Sequence, residues 1–288
     1  MFAKVRSVKE FVAEPVFEHL ASRPLIEIEK VADTPPEPLP DWGTHPLSGI
    51  RALGMGRVIA GAGIGRALAA LGADVLNVWR VMEFEMDSLV ATVNVGVRST
   101  RLNVRAPTAR RPSTLSCADA DVFHANRRPG PAHRVRRRRP PGDRPAARPR
   151  PRHSGCHGDT DPWANRGGFD QVAETVTGMV AAEGTLGQPK LPPTSIINDY
   201  LVAWLGATGA LAALIRRATD GGSYRVHVSL TRAAMWATIL GFFDRDYVRR
   251  AVGSGGEHEL LDPQLFTPLG LYQGVTETSR SRGPRTTT

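Results

Sequence analysis

Lysine is nearly missing from this sequence, with four residues against 33 arginines in 288. Cysteine is scarcer still. Cys117 and Cys156 stand alone, with no CxxC and no Cys/His spacing, so the pattern holds no metal site of the zinc type. Long hydrophobic runs are also lacking. The longest, Tyr200 to Ile215, has sixteen residues, short of the roughly 20 that span a bilayer. No secretory signal opens the chain: "FAKVRSVKEFVAEPVFEHL" is amphipathic and interrupted by Pro15. These absences predict a soluble, cytoplasmic protein without a membrane partner.

Acidic charge is missing from one place. Between Arg127 and His153 there are eleven Arg and one acid, Asp143, a charge of +10 in a chain whose total is +9. The rest of the chain therefore carries −1. Inside this region "RVRRRRPPGDRPAARPRPRH", Arg134 to His153, has no aromatic residue, no Leu, no Ile and no Lys. Three readings fit it. A nucleic-acid or acidic-partner arm would neutralise phosphates without specificity. A Pro-rich linker would be semi-extended. Out-of-frame translation of a G+C-rich gene would yield Arg, Pro, Ala and Gly, in keeping with the dearth of Lys.

What is present elsewhere is orderly. At 288 residues and 41% hydrophobic, the chain can bury one large domain or two smaller ones. Residues 1–46 read as an N-terminal extension: a helix, the strand "LIEIEK" and a Pro-rich connector. Gly49 to Met55 is a short buried strand, "GAGIGRALAALGA" a helix, and Asp74 to Arg80 the next strand. This βαβ pattern predicts an α/β fold built on a Rossmann-like parallel sheet. "GFDQVAETVTGMVAAEG" reads as one helix. Asn198 to Gly222 reads as a long one, with Asn198 or Asp199 as N-cap and Arg216 and Arg217 at its C-terminal dipole. "SYRVHVSL" alternates as a half-buried strand, with His227 structural. "TRAAMWATILGFF" is another buried helix, and "TETSRSRGPRTTT" is expected to be disordered.

Two candidate sites follow from the residues. Gly61-Ala-Gly63-Ile-Gly65 opens a helix, where backbone amides and the helix dipole favour a phosphate; equally, small residues there give tight helix–strand packing. An NAD-binding Rossmann protein would need GxGxxG and an acid ending the second strand. Here the spacing is GxGxG and the strand ends in Trp79-Arg80. Asp199 is either a helix cap or a nucleophilic carboxylate at a helix N-terminus.

Taken together, these motifs resemble the class III CoA-transferase family, which includes formyl-CoA transferase, carnitine CoA-transferases and α-methylacyl-CoA racemase. The resemblance is carried by "PLSGIRALGMGRVIAGAGIGRALAALGADVLNVWR", "NVGVRSTRLNV", "ADVFHANRRPG", the segment beginning "DPWANRGGFD" and "INDYLVAWLGATGALAALIRRATDGGSYRVHVSLTRAAMW". It covers about 47–104, 120–130 and 161–275. It implies an acyl-CoA:carboxylate CoA-transferase working through an aspartyl-CoA thioester, with Asp199 as nucleophile. It also implies a CoA-contact loop of Arg57, Val58, Ile59 and Ala60, and further CoA contacts at Arg80, Leu102 and Asn126. No permanently bound cofactor and no metal is implied. CoA enters as the thioester substrate, a carboxylic acid is the acceptor, and no nucleic acid is involved. Racemase members carry His where Phe169 stands, which favours transfer, and Ala62 replaces a family Pro.

On this resemblance residues 47–245 form the large domain, interrupted at 105–119 and 131–160. There Arg and Pro stand where the family has helices and a buried strand rich in Val, Ile and Leu. Family spacing is nevertheless kept, as compensating frameshifts would leave it, so both segments are expected to be irregular. Residues 246–288 read as the start of a small domain that stops early. The family's interlocked homodimer is then not expected to close, and activity is expected to be impaired.

Overall fold

A computed structural model of the chain describes residues 2–40, 43–81, 85–102, 120–126, 156–158, 162–193, 196–244, 246–247, 250, 266–273 and 278–284. The expected irregular stretch 105–119 and most of 131–160 lie outside the described residues. The chain divides into two units, residues 1–240 and 241–288.

The first unit is built on four parallel strands: β2 (Arg51–Met55), β3 (Asp74–Trp79), β4 (Arg98–Arg101) and β5 (Val122–Ala125), in the order β4-β3-β2-β5. Residues Ala52 to Met55 of β2 are all buried, as expected of an inner parallel strand covered on both faces. Helix α3 (Ala60–Ala70) joins β2 to β3 and α4 (Asp87–Val93) lies between β3 and β4, while β5 returns to the other side of β2. Ile64, Ala67 and Leu68 of α3 pack with Ile50, Ala52 and Val75 and with Ala207, Ala210 and Leu214 of α7 (Ile197–Asp220). By length and composition α7, at 24 residues, could cross a membrane. One of its faces is instead spent on the core, with Val202, Ala203, Gly206, Ala207, Gly209, Ala210 and Leu214 buried.

The segment read as one helix after Phe169 is two: α5 (Asp170–Thr177) and α6 (Met179–Glu183). They break at Gly178, whose φ is 96°. A side chain there would also meet the Val8 amide, whose nitrogen lies 2.5 Å from an added Cβ. A left-handed residue with backbone against it is a place only Gly fills cheaply.

Residues read as an extension pack on this unit. Helix α1 (Val8–Val12) is closed by a capping box between Ser7 and Glu10. α2 (Pro15–Ala21) follows, and Phe11 meets Phe17 and Trp163. Strand β1 (Glu27–Ala32) pairs antiparallel with β6 (Ser223–His227), placing Glu27 opposite His227. Cys156 and His157 pack under α8 (Leu230–Ile239): the Thr231 hydroxyl donates to the Cys156 carbonyl (2.9 Å) and contacts His157 Nδ1 (2.8 Å). At the N-terminal end of the sheet Asp121 accepts from the Arg51 amide (2.9 Å) and from Arg217 (3.0 Å), tying β2, β5 and the last turns of α7. In the second unit β7 (Phe266–Gln273) pairs antiparallel with β8 (Thr278–Pro284), so that part of the segment expected to be disordered is a strand.

Candidate functional site

In parallel α/β sheets ligands bind outside the carboxyl ends of the strands, where the strand order reverses. Here the reversal lies between β2 and β5. The residues singled out from the sequence gather at that end. Arg57, Val58 and Ile59 follow β2, with Ala60 beginning α3; Arg80 follows β3, Leu102 follows β4 and Asn126 follows β5. Leu102 packs on Leu53, Met55, Val78 and Ala125. Its amide donates to the Trp79 carbonyl (2.8 Å), which keeps the ends of β3 and β4 level.

The loop between β2 and α3 is held by side chains. Asn126 Oδ1 accepts from the Arg57 amide and its Nδ2 donates to the Arg57 carbonyl, both at 2.9 Å. Buried Asn77 makes the same reciprocal pair with Gly56, both at 3.1 Å. The Glu85 carboxylate accepts from the Val58 amide (3.0 and 3.1 Å) and from Arg57 Nε (3.0 Å). Val58 has φ 52°, a left-handed conformation that costs a β-branched residue about 1–3 kcal/mol. The glycines that follow serve close packing. A Cβ on Gly61 would lie 2.3 Å from Asn126 Cγ, and one on Gly63 2.7 Å from the Ala203 Cβ. Beneath them the buried His124 puts Nδ1 3.1 Å from the Gly61 carbonyl. Burial lowers its pKa to about 4, so the ring is neutral with its proton on Nδ1.

Asp199 reaches the same end because α7 packs along α3. Ile196, the residue before α7, joins Ile59 and Ala62 in one apolar cluster. The expected capping role is corrected by the structure. The N-cap is Ile196, which has no capping side chain, and Asp199 sits in the first turn. The cap comes from another helix: the Asp170 carboxylate accepts from the amides of Asn198 (3.0 Å) and Asp199 (3.2 Å) and from Asn198 Nδ2 (2.7 Å). Asp199 is thereby relieved of backbone work.

Three buried carboxyls result: Asp170, Glu174 one turn further along α5, and Asp199. Burial, opposed by its hydrogen bonds from Asn198 and Asp199, raises the pKa of Asp170. Burial first and the Asp170 charge second raise Asp199 to about 7. Glu174 is fully buried with neither oxygen hydrogen-bonded. Burial, then Asp170, Asp199 and Glu183, raise it to about 8. Near neutral pH such a cluster holds protons that isolated carboxyls would have lost. Among the described residues no three His, Cys, Asp or Glu side chains are grouped to hold a metal ion.

Residues 47–263 match the family model for CoA-transferase family III. The chain belongs to CoA-transferase family III. Over 254 residues it is 30% identical to the acetyl-coenzyme A transferase nodX of Hypoxylon pulicicidum, covering 82% of this chain and 42% of the relative. The alpha subunit of succinyl-CoA–L-malate CoA-transferase from Chloroflexus aurantiacus is 26% identical over 73% of this chain and 53% of its own length. A formyl-CoA:oxalate CoA-transferase of Streptomyces avermitilis is 28% identical over 67% and 49%. The chain thus spans about half the length of these relatives. The crystal structure of Rv3272 from M. tuberculosis has the same fold, with a TM-score of 0.55 at 23% identity over 68% of this chain and 56% of that one. A CAIB/BAIF family protein from Brucella suis gives 0.52 at 21% over 73% and 58%.

Four features of this candidate site escaped the sequence: the Asp170 cap, the buried Glu174, the Glu85 clamp and the Asn77 clasp. Asp170 and Glu174, four residues apart on an amphipathic helix, carry no local sign of burial. Asn77 carried a signal, being a polar residue between the apolar Val75-Leu76 and Val78-Trp79 of an inner strand.

Proposed function

We propose that the site at the carboxyl ends of β2–β5 takes an acyl-CoA thioester and transfers CoA to a carboxylic acid, with Asp199 as nucleophile. The observation that carries this reading is convergence. Arg57 to Ala60, Arg80, Leu102 and Asn126 end successive parallel strands, and α7 sets Asp199 in its first turn at the same end.

The Asp199 carboxylate attacks the thioester carbonyl; the C–S bond breaks and an acyl-aspartyl anhydride forms with CoA thiolate. The thiolate attacks the aspartyl carbonyl, forming the aspartyl-CoA thioester and releasing the first acid. The acceptor carboxylate attacks that thioester, giving a second anhydride and thiolate again. Attack of the thiolate on the acceptor's carbonyl yields the new acyl-CoA and frees Asp199. No proton is consumed, so what Asp199 needs is its ionised form. The first turn of α7 favours that anion, while burial first and the Asp170 charge second oppose it. Arg57 and Arg80 offer cationic ends for the phosphates of CoA.

On this reading turnover is impaired, because the two Arg- and Pro-rich segments replace apolar ones that the family buries, each such side chain worth about 1.5–3 kcal/mol. Incubation with an acyl-CoA followed by hydroxylamine tests the nucleophile. A hydroxamate on the Asp199 peptide is expected, and none in Asp199→Asn. A hydroxamate elsewhere, or turnover retained by Asp199→Asn, would overturn the assignment.

A further inference from the structure

The two asparagine clasps hold Gly56 and Arg57, but neither reaches the Val58 amide. Among the described residues Glu85 does so, with a side chain only 4% exposed. Val58 is the one non-glycine residue with positive φ among them. A strained backbone of this kind persists only where its surroundings over-determine it. A buried carboxylate on an amide and a guanidinium is a strong contact of the charge-assisted type. It comes from outside the sheet, across 27 residues of chain.

We propose that Glu85 is a positioning residue: it locks Val58 in its left-handed turn and aims Arg57, so that the loop presents a fixed backbone to the thioester ligand. This rests on the CoA reading above, while the lock itself is read from contacts within the chain. Glu85 touches no reacting atom on this account and acts through the loop.

The test uses the full chain with Glu85→Ala, Glu85→Gln and the double variant Val58→Gly with Glu85→Ala. Amide hydrogen exchange of the peptide spanning the loop is read without ligand, and coenzyme A binding is read by calorimetry. Loss of a charge-assisted contact predicts roughly tenfold faster loop exchange and roughly tenfold weaker CoA binding in Glu85→Ala. Glu85→Gln, which keeps an acceptor oxygen, should fall between it and the parent. Glycine adopts the left-handed turn without steric penalty, so the double variant should regain most of the CoA affinity. A merely structural role would add the two losses instead. Unchanged loop exchange in Glu85→Ala, or no recovery in the double variant, would overturn the proposal. A parent chain that fails to bind CoA while Glu85→Ala still loosens the loop would sink the CoA reading and leave the lock standing.

Discussion

Replacing Glu174 with Gln should make the protein more stable in alkali and remove part of its pH dependence. Glu174 is fully buried with both oxygens unpartnered, and its pKa rises from 4.5 to about 8. A carboxyl whose folded pKa lies above its unfolded one binds more protons folded than unfolded. Its contribution to stability is complete below the unfolded value and is lost as pH rises through the folded one. Each pH step inside that window costs about 1.4 kcal/mol, so pH 5 to pH 8 costs on the order of 3 kcal/mol through Glu174. Against a total stability of about 5–15 kcal/mol that is a large fraction. Glutamine keeps the shape and does not titrate. Urea unfolding at pH 5, 6, 7 and 8 should show parent stability falling steadily and the Glu174→Gln curve falling less. A residual decline toward pH 7 should remain from Asp199, which is raised to about 7. Parallel curves for parent and variant would refute the reasoning, because Glu174 would then ionise inside the fold as readily as outside it.

Other outcomes follow from the same geometry. Single-turnover acyl transfer should climb as pH rises through about 7, where Asp199 ionises. Asp170→Asn removes one cause of that shift and should move the profile to lower pH, which a pH–rate series would read. Asp170→Ala also strips three accepted hydrogen bonds from the start of α7, and should lower stability by about 2–4 kcal/mol in urea titration. Gly61→Ala drives a methyl to within 2.3 Å of Asn126 Cγ; a stability loss of about 1–3 kcal/mol is expected, with weaker binding of coenzyme A as the clasp parts. Re-sequencing the coding DNA across residues 100–165 and beyond 275 tests the frameshift reading: insertions or deletions support it, and an unbroken frame refutes it.

The parts legible in the sequence are those set by local chemistry. The apolar run of β2, the glycine-rich start of α3 and Arg80 just after β3 announce a parallel sheet and its ligand end. The long α7 is legible because its periodicity and its Gly221 stop are local. What escaped depends on residues distant in sequence meeting in space. Asp199 looks like a cap because Asp caps helices, yet Asp170, 29 residues away, does the capping. Gly178 looks like a tolerated helix glycine until the Val8 backbone is laid against it. Glu174 carries no local sign of burial, since glutamates are rarely buried. Only packing reveals that α5 turns that face inward.

The pairing of β1 with β6 sets a schedule for the newborn chain. Glu27 finds His227 some 200 residues later, and β1 has no other strand partner among the described residues. At about 5–20 residues per second the ribosome needs roughly 10–40 s to supply that partner. Through that interval the segment carrying Ile26 and Ile28 must wait unpaired, open to chaperones and to other chains. Pairings of such long range are slow to form. Assembly of this unit thus depends on how the growing polypeptide is sheltered during synthesis.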